Sequence, residues 1–366
     1  MRVQLRLLGA LCVGIFISTW CGVASADGSI SMRGAYYKER STRVMQPMID
    51  AELEVGDDGQ LNAHGLVDAI TSASAASGAA GDAFTERRLE GGFLYMHVLQ
   101  NFRVGGGGRY STEPDYESTF LNLRLEAELA KRNTTLALNL ARGNDNIDNS
   151  GSQGGLSSVQ TGQLQTNMLS VSASQLLSPE SIVSLSYDLS YLDGFQQNIY
   201  RTVVAGGMIQ AERVPDTRLR HALAGSVKYF VDATNTTLIG AYRFYTDDWD
   251  ILSNAPELRV VQELFDEQAE LHLSYRYYRQ RSSFFYKEVY DTADASMEPY
   301  LTDDDKLGRV RAHTYGAKAA SRMELFGLQG DWADVRLEAL FQYIQQDTHY
   351  GDAVVGQMAL SFPIKY

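Results

Sequence analysis

Side chains that alternate between apolar and polar, one residue at a time, constrain this chain more than any other feature. From Val335 to Tyr343 the odd positions are Val335, Leu337, Ala339, Phe341 and Tyr343, and the even ones are Arg336, Glu338, Leu340 and Gln342. Leu121, Leu123, Leu125, Ala127 and Leu129 alternate with Asn122, Arg124, Glu126 and Glu128. The same period runs through Ile49–Val55, Val183–Tyr191 and Leu271–Tyr277. Successive side chains of a strand point to opposite faces, so each segment has one greasy face and one wet face. Such strands form either a sandwich, whose oily faces meet, or a closed sheet with one face in lipid.

The first 26 residues fall outside this pattern. Arg2 and Arg6 precede an apolar run from Leu7 to Ile17, and Ala24-Ser25-Ala26 is an A-x-A cleavage site. This reads as a secretory signal peptide over 1–26, leaving 27–366 as a single domain. The run is shorter than the ~20 residues of a spanning helix. Cys12 and Cys21 are the only cysteines and leave with the signal, so the exported part has no disulfide and no thiolate metal site. No later stretch is apolar for long enough to span as a helix, which excludes a helical membrane protein and leaves a β-barrel open. With 45 Asp+Glu against 32 Lys+Arg, the balance argues against a nucleic-acid binder, which usually carries a basic face.

Connections between the segments alternate in length. Short turns are expected at Asp57-Asp58-Gly59, Lys131-Arg132-Asn133, Ser178-Pro179-Glu180 and Ala233-Thr234-Asn235. Long polar stretches are expected at 143–161, 194–216, 247–268 and 292–307. Tight periplasmic turns and long external loops give an outer-membrane barrel this rhythm. Strand starts near Ile30, Met45, Gln60, Glu86, Phe102, Glu117, Thr134, Gly162, Ser181, Thr217, Thr236, Ala269, Ser282, Gly308, Asp334 and Ala353 give sixteen strands, with fourteen as the fallback. The expected fold is therefore all-β, a transmembrane antiparallel up-and-down barrel. A sandwich usually has about seven to nine strands, so sixteen would need two domains, and no linker divides the chain. Tyr36-Tyr37, Tyr277-Tyr278 and Phe284-Phe285-Tyr286 suit aromatic girdles.

The chain ends on Met358, Leu360, Phe362, Ile364 and Tyr366, alternating up to an aromatic terminus. That ending resembles the strand by which outer-membrane proteins are recognised by the barrel assembly machinery, with Phe362, Ile364 and Tyr366 as the contacts. Pro363 interrupts it and needs an edge or a bulge. Asn133-Thr134-Thr135-Leu136 and Asn235-Thr236-Thr237-Leu238 echo one another. With Asp68–Ser74 and Tyr110–Ser118, these openings resemble the proteobacterial family called domain of unknown function 3570. The resemblance implies an exported outer-membrane barrel of a Gram-negative bacterium. It carries no activity and no site residues.

Charge cannot face lipid cheaply: a midplane Arg or Lys costs ~2–4 kcal/mol. The polar faces therefore nominate lumen residues: Asp50, Glu52, Glu54, Asn62, His64, Asp68, Arg124, Glu126, Glu128, Asp188, Lys228, Arg243, His272, Arg276, Arg336, Glu338 and Gln342. They describe either a hydrated pore crossed by a transverse field or an interior closed by salt bridges. A sixteen-stranded barrel is too wide for side chains alone to fill. The function expected is a porin-like passive channel for small polar solutes. The alternatives are a sleeve for a periplasmic or surface partner, or a barrel hydrolase. No H-E-x-x-H or G-x-S-x-G motif accompanies the six histidines. His349, beside Asp347 and Asp352, is the one Asp–His surface candidate. No cofactor is implied. Asp303, Asp304 and Asp305 invite a cation, against the plainer reading of a solvated loop. Pro256–Phe265 reads as a short helix with Leu258, Val261, Leu264 and Phe265 on one face, either folding into the mouth or packing within a loop. With the first strand near Ile30, no N-terminal plug is expected.

Overall fold

A computed structural model describes residues 27–72, 84–151, 160–199 and 201–365; the proposed signal and Tyr366 lie outside them. In chain order the strands are β1 (Gly28–Lys38), β2 (Thr42–Val55), β3 (Gly59–Ser72), β4 (Phe84–Leu99), β5 (Phe102–Thr112), β6 (Tyr116–Leu129), β7 (Thr134–Asp148), β8 (Thr161–Ser178) and β9 (Ser181–Gly194). They continue as β10 (Thr202–Ala205), β11 (Met208–Ala211), β12 (Thr217–Val231), β13 (Thr236–Asp247), β14 (Leu252–Leu264), β15 (Ala269–Arg281), β16 (Val310–Arg322), β17 (Arg336–Gln346) and β18 (Ala353–Ile364). All but β10 and β11 join in one closed antiparallel barrel of sixteen strands. Closure is by β1 against β18, from Gly28↔Ile364 to Lys38↔Val354. Ser31 Oγ and Ser361 Oγ meet across that seam at 2.6 Å. A closed sheet has no edge strand, so every wall strand finds partners on both sides.

The period-two pattern decides what each face shows. Met32, Phe93, Leu121, Leu123, Leu185, Leu258, Leu273, Phe341 and Met358 stand on the outer face and are more than half exposed. An apolar band of that extent around a whole barrel requires apolar surroundings. At one end lie the start of β1, the end of β18 and the connections 56–58, 100–101, 130–133, 179–180, 232–235, 265–268 and 323–335. At the other lie 195–216 and 282–309, among the connections between alternate strands.

The two Asn-Thr-Thr-Leu openings have a common cause. Each follows a short turn, and Thr134 and Thr236 donate their hydroxyls across the strands to Gln175 (2.6 Å) and Gln262 (2.8 Å). Pro363 pairs with Ser29 of β1, but the β17–β18 ladder has already ended at Arg336↔Ser361. Its missing N–H therefore falls where no ladder bond to β17 is needed.

Two expectations are corrected, and their errors cancel in the count. Pro256–Leu264 is not a helix but part of β14, paired to β13 from Thr236↔Gln262 to Thr246↔Leu252, and Phe265 opens the turn that follows. Ala255 and Pro256 are skipped in the β14–β15 ladder, which spares a hydrogen bond that proline could not make. The long stretch expected at 247–268 is thus two turns and a strand. No barrel strand starts at Ser282, because 282–309 is loop. The loop expected to open at Gly143 begins later, since β7 runs to Asp148. Of the aromatic pairs, Tyr36 faces outward and Tyr37 inward, while Phe285 belongs to neither girdle and is buried in a loop core.

Candidate functional site

Register places all seventeen nominated residues on the inner face. Asp50, Glu52 and Glu54 stand opposite His64, Asn62 and Gln60, and Asp68 stands opposite Arg88. Arg124, Glu126 and Glu128 share a face of β6. Asp188 faces inward with Ala222, Lys228 with Ile182 and Ile239, and Arg243 with Ala224. His272, Arg276, Arg336, Glu338 and Gln342 continue that face across β15–β17.

The same parity adds residues that the sequence reading passed over. Along β1–β7 the inner face carries, among described side chains, five cations, Arg33, Arg88, Arg103, Arg109 and Arg124. Against them stand eight anions: Asp50, Glu52, Glu54, Asp68, Glu90, Glu126, Glu128 and Asp145. On the rest of the wall the balance reverses. Nine cations, Arg218, Arg220, Lys228, Arg243, Arg259, Arg276, Lys318, Arg322 and Arg336, face six anions, Asp188, Asp247, Glu257, Glu263, Glu270 and Glu338. One wall has three negative charges in excess and the other three positive.

Neighbouring charges are partly tied up. Arg33 meets Asp50 at 2.7 Å and Arg88 meets Glu90 at 2.6 Å. Arg336 bridges Glu270 (3.1 Å) and Glu338 (3.0 Å), Lys318 meets Glu338 at 2.9 Å, and His272 meets Glu270 at 2.9 Å. Arg220, Lys228 and Arg276 have no acidic partner within 4 Å among the described residues. They leave positive charge directed into the interior of the second wall.

Over that wall the long loops build a lid. The β10–β11 hairpin packs Val203 and Ala205 against Tyr290 and Leu301, all at most 1% exposed. Backbone bonds fasten it: Gly206 N–H to Tyr290 O (2.9 Å), and Arg213 and Leu301 to one another (2.9 and 2.7 Å). A second cluster joins Val214, Trp249 and Phe285. Trp249 donates Nε1–H to Thr217 O at 2.9 Å and lies 4.1 Å from the guanidinium of Arg218. Arg218 in turn holds Asp247 at 2.5 Å.

The keystone is Arg201, which is 2% exposed. It contacts Asp303 (3.2 Å) and Asp304 (3.4 Å) of the 282–309 loop and donates to Tyr350 Oη (2.5 Å) of the β17–β18 loop. Six wall strands separate the loop of Arg201 from that of Tyr350, so the lid crosses a large part of the mouth. Glu212 is buried within it, accepting from Thr302 Oγ1 (2.6 Å) and Asn198 N–H (2.7 Å). Burial pushes the Glu212 carboxyl up to about 7, against the pull of those two bonds and of Arg201. Burial likewise raises Asp303, although Arg201 opposes it. Between lid and wall lies a cavity of about 500 Å³, bounded by Arg220, Arg243 and Tyr245 below and by Glu212, Asp304 and Lys306 above.

The acidic loop residues do not converge. Asp303 and Asp304 turn to Arg201, and Asp305 takes Tyr286 Oη (3.1 Å) and His349 Nδ1 (2.5 Å). No cluster of three potential metal-ligating side chains exists among the described residues. His349 therefore pairs with Asp305 rather than with Asp347 or Asp352. Asp352 bonds Tyr343 and the Gln346 N–H instead.

The sequence profile of the family described as "Protein of unknown function (DUF3570)" matches residues 80–361. The chain belongs to the DUF3570 family. No curated protein matches it by sequence. Among solved structures, a bacterial polysaccharide outer membrane secretin superposes with a TM-score of 0.52 at 8% identity, over 92% of this chain and 98% of that one. A BenF-like porin from Pseudomonas fluorescens Pf-5 gives 0.50 at 9% identity, over 93% and 99%. OccAB1 of Acinetobacter baumannii gives 0.50 at 10% identity, over 93% and 96%. At such identities the likeness is one of fold: this DUF3570 member shares the closed barrel found in outer-membrane porins.

Proposed function

We propose that this DUF3570 protein is a channel of porin type in the outer membrane of a Gram-negative bacterium, passing small polar solutes passively. The observation that carries the reading is the inner face, charged from end to end and opposite in net sign on its two walls. Charges in such numbers need water, and a sixteen-stranded barrel has room for it. Solute entering between the walls meets a transverse field set by Glu52, Glu54, His64, Asp68, Arg124, Glu126 and Glu128 on one side. Asp188, Lys228, Arg243, His272, Arg276, Arg336 and Glu338 set it on the other. Residues 1–26 act as the export signal, the short turns face the periplasm and the lid faces outward. Outer-membrane lipid covers the apolar band, and Phe362 and Ile364, both outward-facing, present the last strand to the assembly machinery.

The reading is of a conduit and not a catalyst, in keeping with the absence of a nucleophile motif. Planar-bilayer recording of the purified protein tests it. Stepwise ohmic conductance is expected, with charge selectivity that shifts when Arg276 is replaced by Ser. A barrel that inserts and never conducts would overturn it.

The lid supports a second reading, of a sleeve whose packed loops grip a partner. Mild crosslinking followed by co-purification tests that, and a barrel recovered alone in every condition speaks against it.

A further inference from the structure

Among the described residues, the outer face carries charge only toward the long-loop end. Facing outward on the wall strands are seven cations and three anions, and all ten lie toward the long-loop end. Two pairs of these cations stand directly opposite one another: Lys38↔Arg43 across β1–β2, and Arg279↔Arg311 across β15–β16. Like charges in directly opposed positions, with Cβ atoms ~4.5–5.5 Å apart, destabilise a sheet. The inner face answers its opposed cations, Arg322↔Arg336, by bridging Arg336 to Glu270 at 3.1 Å. The outer pairs have no acidic partner within 4 Å among the described residues, and all four side chains are exposed.

Their height is regular. Lys38 follows Tyr36 by two residues, Arg43 precedes Met45, Arg279 follows Tyr277 and Arg311 precedes His313. Arg87 and Arg142 stand likewise just beyond Leu89 and Leu140. Two residues of strand rise about 7 Å, which carries each cation from the last greasy or aromatic position into the headgroup layer. Arg142 is hydrogen-bonded to a neutral partner, Gln165, at 3.0 Å. The chain as a whole has net charge −13, so this collar runs against its overall balance.

We propose that the long-loop rim of the outer wall is a docking surface for the phosphate headgroups of anionic lipid in the outer leaflet. A phosphate between Lys38 and Arg43, or between Arg279 and Arg311, turns each repulsive pair into a two-pronged clamp. The inference rests on the reading of the outer face as lipid-covered.

The test uses the full exported chain in nanodiscs of phosphatidylcholine alone and of phosphatidylcholine mixed with phosphatidylglycerol. Retained lipid is read by native mass spectrometry. Phosphatidylglycerol is expected to be enriched, with the enrichment falling about five-fold for each cation removed by Lys38→Ser with Arg43→Ser, or Arg279→Ser with Arg311→Ser. High salt should weaken it. The same variants should raise the melting temperature in phosphatidylcholine, by relieving repulsion, and lower it with phosphatidylglycerol present. Equal retention of the two lipids, or a shift of the same sign in both discs, would overturn the proposal while leaving the channel intact. A barrel that enters neither bilayer would overturn the membrane reading itself, and this one with it.

Discussion

The two ends of the barrel are cut from the same strands and are held by different physics. At the short-turn end the chain reverses mostly within two to four residues, and the backbone bears the strain. Ala130, Lys131 and Arg132, and then Phe265, Asp266 and Glu267, all lie at positive φ without a glycine among them. At the long-loop end side chains bear the load: an aromatic core, a buried arginine and four interlocked loops. One end is therefore expected to be stiff and indifferent to surface charge, and the other cooperative and sensitive to it.

Removing the keystone should expose that difference most. Arg201→Ala strands Asp303 and Asp304 beside one another, and breaking a buried charge pair from one side costs about 3–5 kcal/mol. The expected result is proteolytic cleavage within 195–216 and 282–309, larger and noisier conductance, and an unchanged melting temperature of the barrel. At the opposite end, Asp334→Asn, which breaks the exposed contact with Lys365, should change none of these.

A charge placed on the wall that both ends share should act globally. Leu123 faces outward at 66% exposure. Leu123→Arg should cost about 2–4 kcal/mol if hydrocarbon covers it, read as loss of folded barrel in urea titrations. Asn122→Arg, one residue away on the inner face, should be tolerated.

Acidity should separate the ends further. Glu212 has its carboxyl raised from 4.5 to about 7, so the closed lid binds a proton more tightly than the open one. The contribution of Glu212 to lid stability is fully present below pH 4.5, falls as the pH climbs to about 7 and then levels. Protease resistance of the loops should follow that curve, and Glu212→Gln should flatten it. The short-turn end should show no such trend.

The smallest effect belongs to the strained turns. A non-glycine residue in the left-handed region costs roughly 1–2 kcal/mol. Lys131→Gly and Asp266→Gly should each stabilise the barrel by up to about 1 kcal/mol, net of the greater freedom glycine gives the unfolded chain. Equilibrium unfolding would show a small rise in midpoint at unchanged slope.

What was legible in the sequence follows the same division. Wall strands declare themselves because each residue answers only to which face it meets, so parity alone put Glu52, Arg124 and Arg336 on the inner face. Parity misled where apolar residues fit two periods at once. Leu258, Val261, Leu264 and Phe265 satisfy a helix, and that reading hid Glu257 and Arg259 from the list of inner charges. Arg88 and Glu90 lay within a recognised strand and could have been found by counting on from Glu86. The lid was opaque for another reason. Arg201, Glu212, Trp249 and Tyr290 acquire their roles from loops far apart in the chain, and no local pattern reports a contact between residue 201 and residue 350. The cation candidate at 303–305, weighed against a solvated loop, was opaque likewise, since the partners of these carboxylates, Arg201 and His349, come from elsewhere.

The central claim is that lipid covers one face of every wall strand and water the other. Residues 27–366 contain no cysteine, because both cysteines lie within the first 26 residues. Leu123→Cys and Arg124→Cys therefore place single thiols on opposite faces of one strand. In a bilayer, a small charged thiol reagent should modify the cysteine at 124 and spare the one at 123. Equal labelling of the two, or the reverse order, would contradict the account.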